Sequence, residues 1–279
     1  MGKLFLVATP IGNLSDITLR ALDTLKNVDL IAAEDTRQSL KLLNHFNIKK
    51  PLISCHKYNE NEKSKLLIQK LKDGKDIALV SDAGTPGISD PGSIMVKNCI
   101  EQGIEFEVLP GATAVTTALV YSGMDTSRFT FIGFLPRENK DRRSILESVK
   151  NRTETLIFYE APHRLTSTLE ALASVLGNRN IGICRELTKV HEEILRFTLE
   201  EAMNYYESND AKGEFVLVVE GKDEKELLRE ESEKWINLSI EKHIKMYMED
   251  GLDKKEAIKK VAKDRKLSKS EVYKHSLSL

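Results

Sequence analysis

Leu79-Val-Ser-Asp-Ala-Gly-Thr-Pro-Gly-Ile-Ser-Asp-Pro-Gly92 joins the end of an apolar run to a loop dense in glycine, proline and short polar residues. Gly84, Gly87 and Gly92 permit close backbone approach and positive φ, while Pro86 and Pro91 stiffen the path. Ser81, Asp82, Thr85, Ser89 and Asp90 offer short donors and acceptors to a polar ligand. An ordinary surface turn has a similar composition. The position directly after a buried-looking strand favours a loop that holds something.

Working outward, Ile77 to Val80 reads as the strand feeding this loop and a helix through Cys99 follows it. The same alternation runs upstream, through strands at Leu4 to Ala8, Val28 to Ala33 and Leu52 to Cys55. A helix starting near Asp16 and a polar one over Glu60 to Lys72 fall between them. Phe106 to Leu109 closes this half, and Pro110-Gly-Ala-Thr113 leads into a helix of small residues whose N-terminus has free backbone N–H groups. Strands alternating with helices predict a parallel α/β sheet over residues 1–122.

Near Gly123 the pattern restarts. Strands are expected at Phe129 to Pro136, Thr155 to Tyr159, Ile181 to Cys184, Ile194 to Thr198 and within Gly213 to Gly221, giving a second α/β domain, 123–221, with antiparallel pairs. From residue 222 to 279 the chain turns to helix formers and charge, with helical runs at Leu227 to Trp235, Ile240 to Met248, Ala257 to Ala262 and Val272 to Leu277. Lys254 to Lys274 carries nine Lys or Arg against three acids, a net +6, on short helices spaced like a helix-turn-helix. A solvated helix face would read the same way. The basic reading makes it an RNA-contacting tail using Lys254, Lys255, Lys259, Lys260 and Lys263.

The totals exclude several classes. With 279 residues, 41% of them hydrophobic, the chain can bury sizeable cores, and its net charge of -1 gives no overall field for nucleic acid. Cys55, Cys99 and Cys184 form no Cys-x-x-Cys pair and show no metal-ligand spacing with the six histidines, so a reduced cytoplasmic protein without a metal centre is expected. The five-residue apolar run at the start is too short for a signal or a membrane span.

Thr9-Pro-Ile-Gly-Asn13, Ala33-Glu-Asp-Thr-Arg37, Ser81 to Gly92, Pro110-Gly-Ala112, Glu160-Ala-Pro-His-Arg164 and Arg185-Glu-Leu-Thr-Lys189 together resemble the RNA-modifying branch of the tetrapyrrole-methylase superfamily. The resemblance covers nearly the whole chain. It implies two α/β domains holding S-adenosylmethionine between them, a homodimer, and 2'-O-methylation of a cytidine in small-subunit ribosomal RNA, with the 30S particle as partner. Small-molecule relatives tend to carry Gly-Asp-Pro where this chain has Gly84-Thr-Pro86, which argues against a tetrapyrrole substrate. No Gly-x-Gly-x-x-Gly of the dinucleotide-binding type is present. By analogy with the superfamily, the cofactor would be held by Pro10, Asp82, Gly84, Thr85, Ile88, Thr113, Ala114, Tyr159, Gly213 and Glu214.

Methyl transfer from a sulfonium to an alcohol needs in-line alignment, dryness and a receiver for the hydroxyl proton. Asp35, Glu160, Glu186 and Lys189 are the candidates for that proton, and each acid could equally pair with Arg37, Arg164 or Arg185. Lys189 would serve as a base only with a depressed pKa. The working assignment gives Glu186 and Lys189 the catalytic neighbourhood, and Arg37, His163, Arg164 and Arg185 the RNA phosphates and ribose.

Overall fold

Continuous apolar runs in the first half form a five-stranded parallel sheet, as strands covered on both faces require. A computed structural model describes residues 1–233, 235 and 238–277. Strands β1 (Leu4–Val7), β2 (Leu30–Ala33), β3 (Leu52–Ser54), β4 (Ile77–Val80) and β5 (Phe106–Leu109) lie in the order β3-β2-β4-β1-β5, all parallel. Helices α1 (Leu19–Asn27) and α2 (Thr36–His45) cover one face through Ala21, Leu25 and Leu43. Helices α3 (Glu60–Lys72) and α4 (Ser93–Glu101) cover the other through Leu67, Leu71, Met95 and Cys99. The first helix starts later than its sequence suggests. A 3₁₀ turn takes Leu14–Asp16, and Thr18 caps α1 by accepting from Ala21 N at 3.0 Å.

Neighbouring strands β1 and β4 therefore feed helices on opposite faces, and a crevice opens beyond their C-terminal ends. The loops leaving them are stapled together: Thr9 N donates to Gly84 O at 2.9 Å and Gly84 N to Thr9 O at 3.0 Å. The second loop is also held from behind, where buried Glu60 accepts from Gly92 N at 2.8 Å.

Helix α5 (Ala114–Ser122) leaves β5 and packs Val115, Ala118 and Leu119 on a second sheet against Ile157, Cys184, Val216 and Val218. That sheet orders β6 (Phe129–Phe134), β7 (Thr155–Glu160), β10 (Phe215–Val219), β8 (Asn180–Arg185) and β9 (Glu193–Thr198). Only β6 and β7 run parallel, so the sheet is mixed as expected. Helices α6 (Asn139–Val149), α7 (Leu165–Leu176) and α8 (Leu199–Ser208) complete its connections. Met1–Leu146 and Glu154–Glu220, with both sheets, form one compact unit.

The other unit comprises Glu147–Thr153 and Gly221–Leu279. Lys222 ties these segments, donating from N to Arg152 O at 2.7 Å and pairing its ammonium with Glu230. Its helices are α9 (Glu224–Glu233), α10 (Ile240–Glu249), α11 (Lys254–Asp264) and α12 (Lys269–His275). The helical run expected to Trp235 is α9; Lys234 lies outside the described residues. The last three helices are capped by Ser239, Asp253 and Ser268, each accepting from the N–H three residues on. Ile244, Ala257, Val261 and Val272 form their core, beside a fully buried His243 stacked on Trp235 at 3.7 Å. Lys255, Lys259, Lys260 and Lys263 are exposed and Lys254 is half-buried. Among the described residues no helix is long and apolar enough to cross a membrane.

Candidate active site

The loops above the first sheet and the strand ends of the second enclose a cleft of ≈ 630 Å³, a size suited to a nucleoside-bearing ligand. One wall is the opening loop, with Asp82, Gly84, Thr85, Ile88, Ser89 and Asp90, joined by Ile11 and Glu34 from the ends of β1 and β2. Thr113 and Ala114 present the start of α5. Phe134, Tyr159, Glu160, Ala161 and Pro162 come from the β6 and β7 ends, and Cys184, Leu187, Lys189, Glu214, Phe215 and Val216 from β8 and β10.

Charge in this cleft is one-sided. Among the described residues Lys189 is the one cationic side chain on the wall, against Glu34, Asp82, Asp90, Glu160 and Glu214. Burial, then the charges of Glu34 and Asp82, push the Asp90 carboxyl up to about 7. Glu34 and Asp82 are raised as well, chiefly by desolvation. Carboxylates that raise one another in this way are stabilised by a cation placed among them. Such a cation is what a sulfonium and an α-ammonium supply. The first-turn N–H groups of α5 complement a carboxylate, because Thr113 makes no side-chain cap there. Ile11, Ile88, Leu187 and Val216 give an apolar bed. The residues present thus fit S-adenosylmethionine.

Lys189 is fixed between two acids, its Nζ at 2.9 Å from Glu186 Oε1 and 2.8 Å from Glu214 Oε2. Desolvation lowers its pKa, but the bonds to Glu214 and Glu186 outweigh that and the net shift is upward. Glu186 is net lowered: desolvation raises it, and Lys189 together with the Glu214 N–H at 2.8 Å overcomes this. The pair is therefore ionised, and the depressed pKa that a lysine base requires is absent. Glu186 lies behind Lys189, off the cleft wall.

Backbone strain concentrates here. Of the five non-glycine residues with positive φ among the described residues, Ser89 (64°) lines the cleft while Glu186 (50°) and Thr188 (64°) flank Leu187, which also lines it. Each such residue costs about 1–3 kcal/mol, which the surrounding contacts must offset. Gly213 lets the Glu186 turn close: at φ 84° it leaves space where a Cβ would lie 2.4 Å from Glu186 Cγ. Pro10 and Gly213 themselves sit next to lining residues, Ile11 and Glu214, without lining the cleft.

The four candidate RNA contacts divide. Arg37 is exposed, its guanidinium held by Asp35 Oδ1 at 3.1 Å and Oδ2 at 2.7 Å, and this pairing takes Asp35 down to about 2. His163 is exposed on the 3₁₀ turn Pro162–Arg164. Arg185 faces Glu193 at 3.4 Å. Arg164 is committed inward, 3.3 Å from Glu160 Oε1 and donating to Leu135 O at 2.6 Å, while Glu160 also accepts from Ala161 N and Thr168 Oγ1 at 2.8 and 2.6 Å. This brace ties the β6 end to the β7 end and saturates Glu160. Sequence reasoning names Asp90 as a polar group of the loop and passes over Glu34 as a site group; the raised carboxyls follow from loops meeting in space.

The family described as tetrapyrrole (corrin/porphyrin) methylases matches residues 3–203. Ribosomal RNA small subunit methyltransferase I of Halalkalibacterium halodurans is 53% identical, over 98% of this chain and 93% of its own length. The protein of that name from Synechocystis sp. is 47% identical, over 100% and 99%. A crystal structure of diphthine synthase superposes with a TM-score of 0.63 at 18% identity, covering 82% of this chain and 95% of the other, a likeness of fold. The matched region holds nearly every residue that builds the cleft, and the chain belongs to the tetrapyrrole (corrin/porphyrin) methylases, in the group of ribosomal RNA small subunit methyltransferase I.

Proposed function

We propose that this protein methylates small-subunit ribosomal RNA with S-adenosylmethionine, at the ribose 2'-hydroxyl of a cytidine. The observation that carries the reading is the acid-walled cleft at the strand-order switch, closed by a single cation, in a chain that shares half its residues with enzymes named for this RNA. We further assign it to the cytoplasm, to a homodimer and to the assembled 30S particle as substrate. The division into an N-terminal domain over 1–122, a second over 123–221 and an RNA-contacting tail over 222–279 belongs to the same proposal.

When bound, the cofactor supplies an electrophilic methyl on a cationic sulfur. Asp82, Asp90 and Glu34 hold positive charge, and α5 receives the amino-acid carboxylate through its first N–H groups. Lys189, kept protonated, places charge where the ribose oxygen becomes negative. Glu214, on the cleft wall, is on hand to receive the proton, and Glu186, behind Lys189, takes it by relay through the ammonium. The basic faces of the tail meet RNA phosphates through Lys254, Lys255, Lys259 and Lys260. Mass mapping of ribose methylation in small-subunit RNA, from cells with and without this protein, tests the reaction: one cytidine 2'-O-methyl group is expected to disappear. An unchanged map removes the reading.

The titration of Asp90 gives a second expected result. Its folded pKa of about 7 exceeds the ordinary value of 3.8, so the stability it contributes is full below that value and is lost as pH rises through 7. A bound cation favours the ionised form and reverses the sense. Calorimetry should show affinity for S-adenosylmethionine rising with pH through about 7, with proton release on binding. Asp90→Asn should flatten that slope.

A further inference from the structure

Beyond the cleft wall, the C-terminal end of the first sheet carries one more loop, His56-Lys57-Tyr58-Asn59 after β3, that the chemistry above leaves unused. Tyr58 is 96% exposed, far from what a ring of that size adopts when it serves the fold. Its place relative to the cleft follows from the sheet. Cys55 N donates to Ala33 O at 2.8 Å, so the loop begins beside Glu34, a wall residue. His56 stands close enough to the Glu34 carboxyl to offset part of the rise that burial and Asp82 give it.

The base of the loop is built rather than loose. His56 N donates to Asn59 Oδ1 at 2.8 Å and Asn59 N returns a bond to His56 O at 2.9 Å, closing a tight turn with Tyr58 at its tip. The next residue, Glu60, accepts from Gly92 N at the end of the cleft loop, so the tip and the cleft wall share one anchor. The neighbouring strand end offers Arg37, whose side chain is 87% exposed while its guanidinium is oriented by Asp35. An open aromatic tip with Lys57 beside it and an oriented arginine nearby makes the pairing that holds single-stranded RNA: a π-face for a base and cations for the backbone.

We infer that the Tyr58 loop is the RNA lip of the cleft, where a base next to the methylated nucleotide stacks on the Tyr58 ring while Lys57 and Arg37 meet its phosphates. This rests on the reading of RNA as substrate. An unpaired strand is required, because bases inside a duplex present no free face to stack.

The test uses the full chain with 30S subunits lacking the modification. Tyr58→Ala should raise KM for the subunits about tenfold, the size of one lost stacking contact, with kcat, cofactor Kd and melting temperature unchanged. Tyr58→Phe, which keeps the ring, should restore KM. An unaltered KM in Tyr58→Ala, or equal loss in Tyr58→Phe, overturns the lip. Failure of the RNA reading would appear in the parent protein as absent methylation. In that event the Kd of a labelled single-stranded RNA oligonucleotide decides the lip alone: a tenfold loss in Tyr58→Ala supports it, and equal Kd values refute it.

Discussion

Replacing Lys189 by alanine should lower kcat for methylation of 30S subunits by roughly 100- to 1,000-fold, the usual effect of removing one donor aimed at a developing oxyanion. Its two hydrogen bonds at 2.8 and 2.9 Å and its raised pKa make it a fixed cation, so a change in ionisation cannot stand in for it. The companion expectation concerns binding. Alanine leaves Glu186 and Glu214 uncompensated and the cleft more negative, so affinity for a cationic cofactor should hold or tighten while kcat falls. General damage to the site would weaken both. Calorimetry with S-adenosylmethionine beside single-turnover methylation separates the two, and a variant that loses binding in step with turnover would remove Lys189 from the chemistry. Glu186→Gln should show a milder loss, since the amide oxygen can still accept from Lys189 and from Glu214 N.

Much of this architecture is legible in the sequence because buried parallel strands are written as unbroken apolar runs. Ile77 to Val80 followed by glycines and prolines announces a strand and a loop, and the structure puts β4 and the cleft wall there. The strand order is another matter. Which loops become neighbours depends on β1 inserting between β4 and β5, and no local pattern records that. Glu34 and Asp90 are 56 positions apart, and what lifts their carboxyls, burial in the folded cleft with Asp82 beside both, is written in neither stretch. Arg164 is a different case. A basic residue at a strand end suggests phosphate, yet its four-residue spacing from Glu160 was visible, and the 3₁₀ turn between them makes it an ion-pair spacing. With the Glu160 side chain fully buried, removing Arg164 would cost about 3–5 kcal/mol by leaving that charge unpaired.

The second large effect is expected at a residue with no functional group. Gly12 lies where the loop after β1 meets the turn after β8, and a Cβ there would stand 2.5 Å from Thr188 Oγ1, 2.6 Å from Lys189 Cγ and 2.7 Å from Leu187 O. A hydroxyl can rotate and a lysine stem can bend, but the Leu187 carbonyl is backbone and must move. Displacing it breaks the bond from Asn13 N to Thr188 Oγ1, now 2.9 Å, and carries Lys189 with it. A shift of about 1 Å at a reacting group costs on the order of 100-fold in rate. Gly12→Ala should therefore lose about that much kcat, with a smaller loss of melting temperature than Gly2→Ala, since it disturbs the second core only at the Ile11 and Leu187 edge. Gly2→Ala provides the control. Its Cβ would stand 2.1 Å from Lys75 O, an equally severe clash, but before the N-terminal end of β1, away from the cleft. That variant should lose stability and keep its turnover. If instead the two alanines behaved alike, the junction at Gly12 would be a matter of packing, and the placing of Lys189 by the loop after β1 would have to be abandoned.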